Sequence, residues 1–89
     1  MTLHPARIRH ALNDEDPENL LKLGAPDDEY QTEADMIANL LANVPPADRT
    51  LERVVAIIAG VWRHMFALSP EALKVRGSMF QRVAERILR

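Results

Sequence analysis

Six prolines, at positions 5, 17, 26, 45, 46 and 70, divide this chain into short segments. Proline lacks a backbone N–H and clashes with the preceding turn of a helix, so it is tolerated in the first turn of a helix or between helices. All six positions fit helix starts or linkers. Because no stretch alternates apolar and polar residues for long enough to form a half-buried strand, the sequence predicts an all-α fold, a compact and roughly orthogonal bundle of four or five helices.

The 89 residues fit one helical domain, 1–89, and a hydrophobic fraction of 47% is enough for a buried core. The absence of cysteine excludes disulfides and thiolate metal sites and is typical of a reducing compartment. The longest apolar run, residues 54–62, is far shorter than the roughly 20 residues that cross a bilayer. The first twelve residues lack the apolar segment of a secretion signal. We therefore expect a cytoplasmic protein without membrane contact.

The first three prolines predict three helix starts. A first helix is expected from Pro5 to about Asn13, with Thr2 or His4 near its start. Asp16 is expected to cap a short helix from Pro17 to Leu23, which Gly24 ends in a left-handed conformation. Pro26 is expected to begin a longer helix that ends before Pro45-Pro46. Three acids in its first turn should interact favourably with the helix dipole: Asp27, Asp28 and Glu29.

The second half predicts a central helix and a final one. Asp48 or Thr50 is expected to cap the central helix, which is apolar around most of its circumference near Val54–Val61. Gly60 inside it suggests a close helix crossing. Ser69-Pro70 begins the final helix, and the pair Gly77-Ser78 leaves open whether it is broken into a short and a longer helix. The apolar side chains expected in the core include Leu3, Ile8, Leu12, Tyr30, Ile37, Leu40, Leu41, Leu51, Ile58, Trp62, Met65, Leu73, Val75, Phe80, Val83, Ile87 and Leu88.

Charge is divided unevenly along the chain. Residues 13–48 hold ten of the thirteen acids and one base, whereas residues 49–89 hold eight of the eleven bases. One explanation is that the two halves attract each other within the domain. The other is that the acidic middle docks a basic partner.

The stretch from Leu12 to Leu41 follows the pattern DP-x-x-L…P-x-DEY…I-x-x-L-L, with DP at 16–17, DEY at 28–30 and Leu40-Leu41 at the end. In this pattern it resembles the small bacterial YugE-like family. The resemblance extends to about Ser69 and implies a bacterial, four-helix domain of unassigned biochemical role. The family often has an aromatic residue before DP, where this chain has Glu15.

Five residues of this pattern and its surroundings are candidates for a docking site. They are Asp16, Asp28, Glu29, Tyr30 and Glu33. The structural alternative is that the first three carboxylates cap or stabilise helix starts, while Tyr30 lies in the core with its hydroxyl bonded to a neighbour. A further alternative is a site for a hard cation formed by Asp14, Asp16, Asp28 and Glu29, although no calcium-loop spacing is present.

No residue pattern in the sequence predicts catalysis. His4, His10 and His64 form no metal-binding or HExxH spacing, and Ser69 and Ser78 occupy cap and breaker positions. Arg82, Arg86 and Arg89 share a helix face that is expected to be solvated. The pI of about 5.9 disfavours nucleic-acid binding. We therefore expect neither an enzyme nor a bound metal or cofactor.

The remaining functional expectation is a protein-interaction or regulatory module that uses an acidic docking edge around Asp14–Glu18 and Asp27–Glu33. Its partner is expected to be another protein. One alternative is an inhibitor or immunity-type protein that neutralises a basic toxin. Another is a structural module that forms a homodimer through its wide apolar third helix.

Overall fold

The computed structural model describes residues 4–89, so the expectations for Thr2 and Leu3 lie outside the described residues. Within this range the chain forms α helices and one 3-10 turn and contains no strand, which confirms the all-α prediction. None of the helices in this range is long and apolar enough to cross a membrane. The elements in chain order are α1 (Pro5–Glu15), α2 (Gln31–Ala42), the 3-10 turn (Pro46–Asp48), α3 (Leu51–Phe66), α4 (Pro70–Val75) and α5 (Gly77–Leu88).

Four of the helices form a closed ring around the core. α1 packs against α2 and α5, and α3 also packs against α2 and α5. The short α4 packs against α3 and α5. Trp62, fully buried on α3, lies at the centre of an aromatic cluster, with its ring centroid 5.9 Å from that of Tyr30, 5.3 Å from Phe66 and 5.8 Å from Phe80. α3 supplies the aromatic centre of the core, but it forms one side of the ring with half of its residues exposed, so it is not the enclosed central helix that its apolar circumference predicts.

The helix expected from Pro17 to Leu23 does not form, and residues 17–24 make a series of turns. Asp16 and Asn19 both have a left-handed backbone, with φ of 45° and 57°. In a helix, the N–H groups of Leu21 and Lys22 would donate to carbonyls four residues earlier. Here they donate to the Asp16 carboxylate instead. The expectation that Asp16 accepts backbone N–H bonds is correct, but it serves a loop rather than a helix. Gly24, at φ 98°, has the expected left-handed conformation.

The start of α2 lies five residues later than Pro26. The carbonyl of Asp27, which would accept the N–H of Gln31 in an α-helix, accepts the Asn13 side-chain amide at 2.8 Å. The N–H of Gln31 donates to Asp28 instead, at 3.0 Å. Residues 27–30 are therefore a turn, and the three acids expected in the first turn of α2 lie before it.

α3 and α4 begin where the sequence predicts. The chain breaks between α4 and α5, so the expected final helix forms as a short helix followed by a longer one. Thr50 accepts the N–H of Arg53, and Ser69 accepts that of Ala72. Arg76 separates α4 from α5. The expected close crossing at Gly60 is wrong, because a Cβ there would meet no heavy atom within 4 Å. Five side chains expected in the core are at least 36% exposed, since they lie at helix ends or on outer flanks: Leu40, Leu51, Met65, Val75 and Leu88.

Candidate functional site

The five candidate docking residues divide into a buried group and an exposed group. Tyr30, Glu33 and Asp16 are 0%, 5% and 9% exposed, respectively. Asp28 and Glu29 lie exposed in the turn before α2. A partner can therefore reach Asp28 and Glu29 directly, whereas the other three are enclosed by the protein's own residues.

Asp16 organises the loop that follows α1. Its carboxylate accepts the backbone N–H groups of Leu21 and Lys22, each at 3.1 Å, and the Tyr30 hydroxyl at 2.6 Å. The Tyr30 oxygen in turn accepts the N–H of Glu18 at 3.1 Å. This places the tyrosine in the core with a bonded hydroxyl, as expected. Asp16 of the DP motif and Tyr30 of the DEY motif therefore fix the conformation of the loop that follows α1.

The same contacts set the protonation of both side chains. Burial opposes ionisation of Asp16, but the hydrogen bonds from Tyr30 and from nearby backbone N–H groups outweigh it and lower the pKa of this carboxyl. Burial and the hydrogen bond to Asp16 raise the pKa of Tyr30. Asp16 therefore stays an anionic acceptor and Tyr30 a neutral donor at neutral pH.

Glu18 connects this loop to the other half of the chain. Its carboxylate receives two bonds from the Arg76 guanidinium, at 2.5 and 2.9 Å, and one from the indole N–H of Trp62, at 3.0 Å. The side chains of Glu18 and Arg76 are only 14% and 21% exposed. The hydrogen bond to Glu18 stabilises the charged form of the Arg76 guanidinium and so raises its pKa. Sequence reasoning missed this cluster, because its members are 44 and 58 residues apart.

Two further ion pairs join α1 to α5. Arg82 donates to Glu15 at 2.7 Å, and Arg86 donates to Asp14 at 2.5 Å. Glu15, which stands where the YugE-like pattern often has an aromatic residue, thus has a polar contact. Within residues 4–89, every ion pair joins an acid between 14 and 18 to an arginine between 76 and 86. This confirms the expectation that the two charged halves attract each other within the domain.

A second group of acids remains exposed. It comprises Asp27, Asp28 and Glu29 in the turn and Asp35 one helical turn into α2, and we call these four residues the acidic edge. None of them forms an ion pair with the part of the chain from His4 onward. Asp35 accepts a hydrogen bond from the Gln31 amide at 2.9 Å. The acidic edge therefore has its negative charge available to solvent or a partner.

Glu33 is a buried acid in the first turn of α2 without an ion-pair partner among the described residues. Burial raises its pKa, and the negative charge of Glu29 raises it further, although the backbone N–H of Glu33 itself opposes the shift. Glu33 therefore destabilises the folded state when it is ionised.

We expect Glu33→Gln to stabilise the protein at pH 7 by roughly 0.5–1 kcal/mol, because the amide removes a buried charge without changing the shape. The folded state binds a proton on Glu33 more tightly than the unfolded state does. The protonated side chain therefore contributes its full stabilisation below pH 4.5, and this contribution is lost as the pH rises through the raised pKa of Glu33 in the folded state. The gain of the variant should therefore disappear in acid. Urea unfolding at pH 4 and pH 7 measures it.

The exposed Glu85→Gln on α5 is the matched control, with an expected change within about 0.5 kcal/mol at either pH. Equal stability of Glu33→Gln and the original protein at pH 7 would contradict the destabilising role of the Glu33 charge.

Residues 4–89 contain no group of three or more His, Cys, Asp or Glu side chains placed to hold a metal ion. His10 lies in a groove between α1 and α5, while His64 is exposed near the end of α3. Asp14 and Asp16, both named in the alternative cation site, bind Arg86 and the loop instead. These contacts account for both carboxylates without a cation.

The resemblance to the YugE-like family stays a prediction, although its DP and DEY residues meet in the Asp16–Tyr30 hydrogen bond. That bond is a structural reason for the two motifs to occur together in this chain. Comparison of the chain with protein-family models, with curated proteins and with solved structures gave no match.

Proposed function

We propose that this chain is a small, non-catalytic protein-interaction module that recognises a basic protein through its acidic edge. The observation that carries the proposal is the division of the acids into two groups. Those between 14 and 18 are bound within the protein, whereas the acidic edge is exposed and has no ion pair with the described residues. Four uncompensated carboxylates within nine positions create a local negative field on a chain of net charge −2.

A negative surface of this kind acts mainly on the rate of encounter. Charges at the rim of an interface steer a partner of opposite sign and raise its association rate, and salt screens this attraction. Exposed apolar side chains also flank the edge in sequence, since Leu23 is 82% exposed and Leu40 is 46% exposed. An inhibitor or immunity-type protein that captures a basic toxin is the specialised form of this function, because rapid capture is what steering provides.

The homodimer alternative receives less support. It requires a continuous apolar face on α3 that remains uncovered, but Val54, Ile58, Val61 and Trp62 are at most 2% exposed within a single chain. The two large apolar side chains of α3 that are exposed, Leu51 and Met65, lie near opposite ends of the helix. We further propose that the protein is bacterial and cytoplasmic and is related to the YugE-like proteins. The support for this is the DP…DEY pattern and the absence of cysteine.

Neutralising the acidic edge is expected to slow the capture of a basic partner. The test variant replaces all four carboxylates of the acidic edge with the corresponding amides. The original protein is first immobilised and used to capture partners from a lysate of the source organism. For a partner so identified, the association rate with the original protein should fall by about tenfold or more from low to high salt. The variant should associate slowly at all salt concentrations.

A control variant carries the same change of net charge elsewhere on the surface. It replaces four exposed acids outside the edge with amides, namely Asp48, Glu52, Glu71 and Glu85. It should associate with nearly the original rate and salt dependence. If both variants bind equally well, or if the rate is independent of salt, the acidic edge is not the docking site.

A further inference from the structure

The basic C-terminal half leaves a positively charged groove between α1 and α5. The groove has a volume of about 230 Å³ and is lined by Arg7, His10, Ala11, Asp14, Arg86 and Arg89, which we call the basic groove. Three guanidinium groups face the Asp14 carboxylate and the main-chain carboxyl oxygen of Arg89, so the groove keeps a positive charge although the chain as a whole is acidic. A low-dielectric wall, such as the buried Ala11, strengthens the field of these charges.

The arginines are held in place but keep donors to spare. Arg7 donates through Nη2 to the main-chain oxygens of Arg86, in the last turn of α5, and of Arg89, which follows it. Arg86 donates through Nη1 to Asp14. Each guanidinium carries five N–H donors, so both retain groups for a ligand. The Arg89 side chain makes no hydrogen bond or ion pair with residues 4–89, so all of its N–H donors are free to bind a ligand.

Size and charge select the ligand. Pockets for drug-sized ligands measure about 300–1,000 Å³, so the basic groove suits a smaller group. Guanidinium groups match the oxygens of phosphate and carboxylate groups, and a phosphate ester at pH 7 carries about 1.5 to 2 negative charges where a carboxylate carries one. An adjoining groove that shares Arg86 and Arg89 contains two acids, Glu15 and Glu85, and is therefore less favourable for an anion.

We propose that the basic groove binds a phosphate group, with Arg7, Arg86 and Arg89 as its donors and His10 beside them. The phosphate is either inorganic or the end of a small phosphate ester. This site is separate from the acidic edge and does not depend on it. Arg7 and Arg86 belong to different helices, so a bound phosphate would also join the first helix to the last.

Calorimetric titration of the 89-residue chain at low ionic strength tests the site, with inorganic phosphate, glycerol 3-phosphate and acetate as separate probes. Saturable binding of a phosphate probe, with amide chemical-shift changes confined to α1 and α5, is the expected result. Tighter binding of inorganic phosphate assigns the site to the free ion, and tighter binding of the ester assigns it to a phosphorylated molecule. Equal binding of acetate would overturn the assignment to phosphate.

Arg89→Gln should weaken phosphate binding by at least about fivefold, and it removes no contact within the described protein. Arg7→Lys should weaken binding similarly, because lysine keeps the charge but loses the planar fork. The control, Arg53→Gln, removes an exposed arginine from α3 and should change the affinity by less than about twofold. The proposal is overturned if no probe saturates the protein, or if Arg53→Gln weakens binding as much as Arg89→Gln.

Discussion

Replacing Trp62 with alanine is expected to lower the free energy of unfolding by about 3–5 kcal/mol, which is most of the stability of a domain this small. The indole is fully buried, and its ring contacts three other aromatic side chains. Its N–H also binds Glu18. Alanine therefore leaves a large cavity between α3, α5 and the turn that precedes α2. Urea unfolding followed by far-UV circular dichroism measures the loss.

Two variants show whether this loss comes from packing. Trp62→Phe keeps a ring within the cluster but removes the bond to Glu18, so we expect a smaller loss of about 1–3 kcal/mol. Met65→Ala removes a side chain that is 39% exposed on the same helix and should cost less than about 1 kcal/mol. A loss at Trp62→Ala no larger than that at Met65→Ala would refute the placement of Trp62 at the centre of the core.

Replacing Asp16 with alanine is expected to cost about 3–4 kcal/mol. The change leaves two backbone N–H groups and the Tyr30 hydroxyl without their acceptor, and each such loss in a buried setting costs about 1–3 kcal/mol when no water replaces it. Alanine also tolerates the left-handed backbone at φ 45° less well than aspartate does. Thermal unfolding and amide hydrogen exchange at Leu21 and Lys22 measure the effect, and both amides should lose protection.

Asp16→Asn is the matched variant, because asparagine accepts the left-handed backbone and keeps one acceptor oxygen. It should cost about 1–2 kcal/mol. Since the pKa of Asp16 is lowered on folding, its charge stabilises the protein above its unfolded value of 3.8, and this contribution is lost as pH falls below that value. The difference between the two proteins should therefore shrink in acid. Unchanged exchange at Leu21 and Lys22 in Asp16→Ala would contradict the role of this carboxylate in the loop.

The sequence predicted part of the candidate site and misjudged part of it. It identified Asp16 as an acceptor of backbone N–H groups, because aspartate before proline is typical of that role. It also suggested attraction between the charged halves, which the three ion pairs confirm. It did not separate buried acids from exposed ones. The reason is that the burial of Glu33 depends on how α2 packs, whereas the exposure of Asp28 depends on a turn held by Asn13.

Local chemistry alone accounts for where most helices begin and end and for the all-α class, because proline, glycine and the capping hydroxyls of Thr50 and Ser69 act within a few residues. Tertiary contacts decided the rest. The turns at 17–24 and 27–30 replace predicted helix because Asp16, Tyr30 and Asn13 bind main-chain groups that a helix would have used, and the Glu18–Trp62–Arg76 cluster forms only when distant segments meet. Hydrogen bonds between residues far apart in the chain leave no periodicity in the sequence, so only the folded protein reveals them.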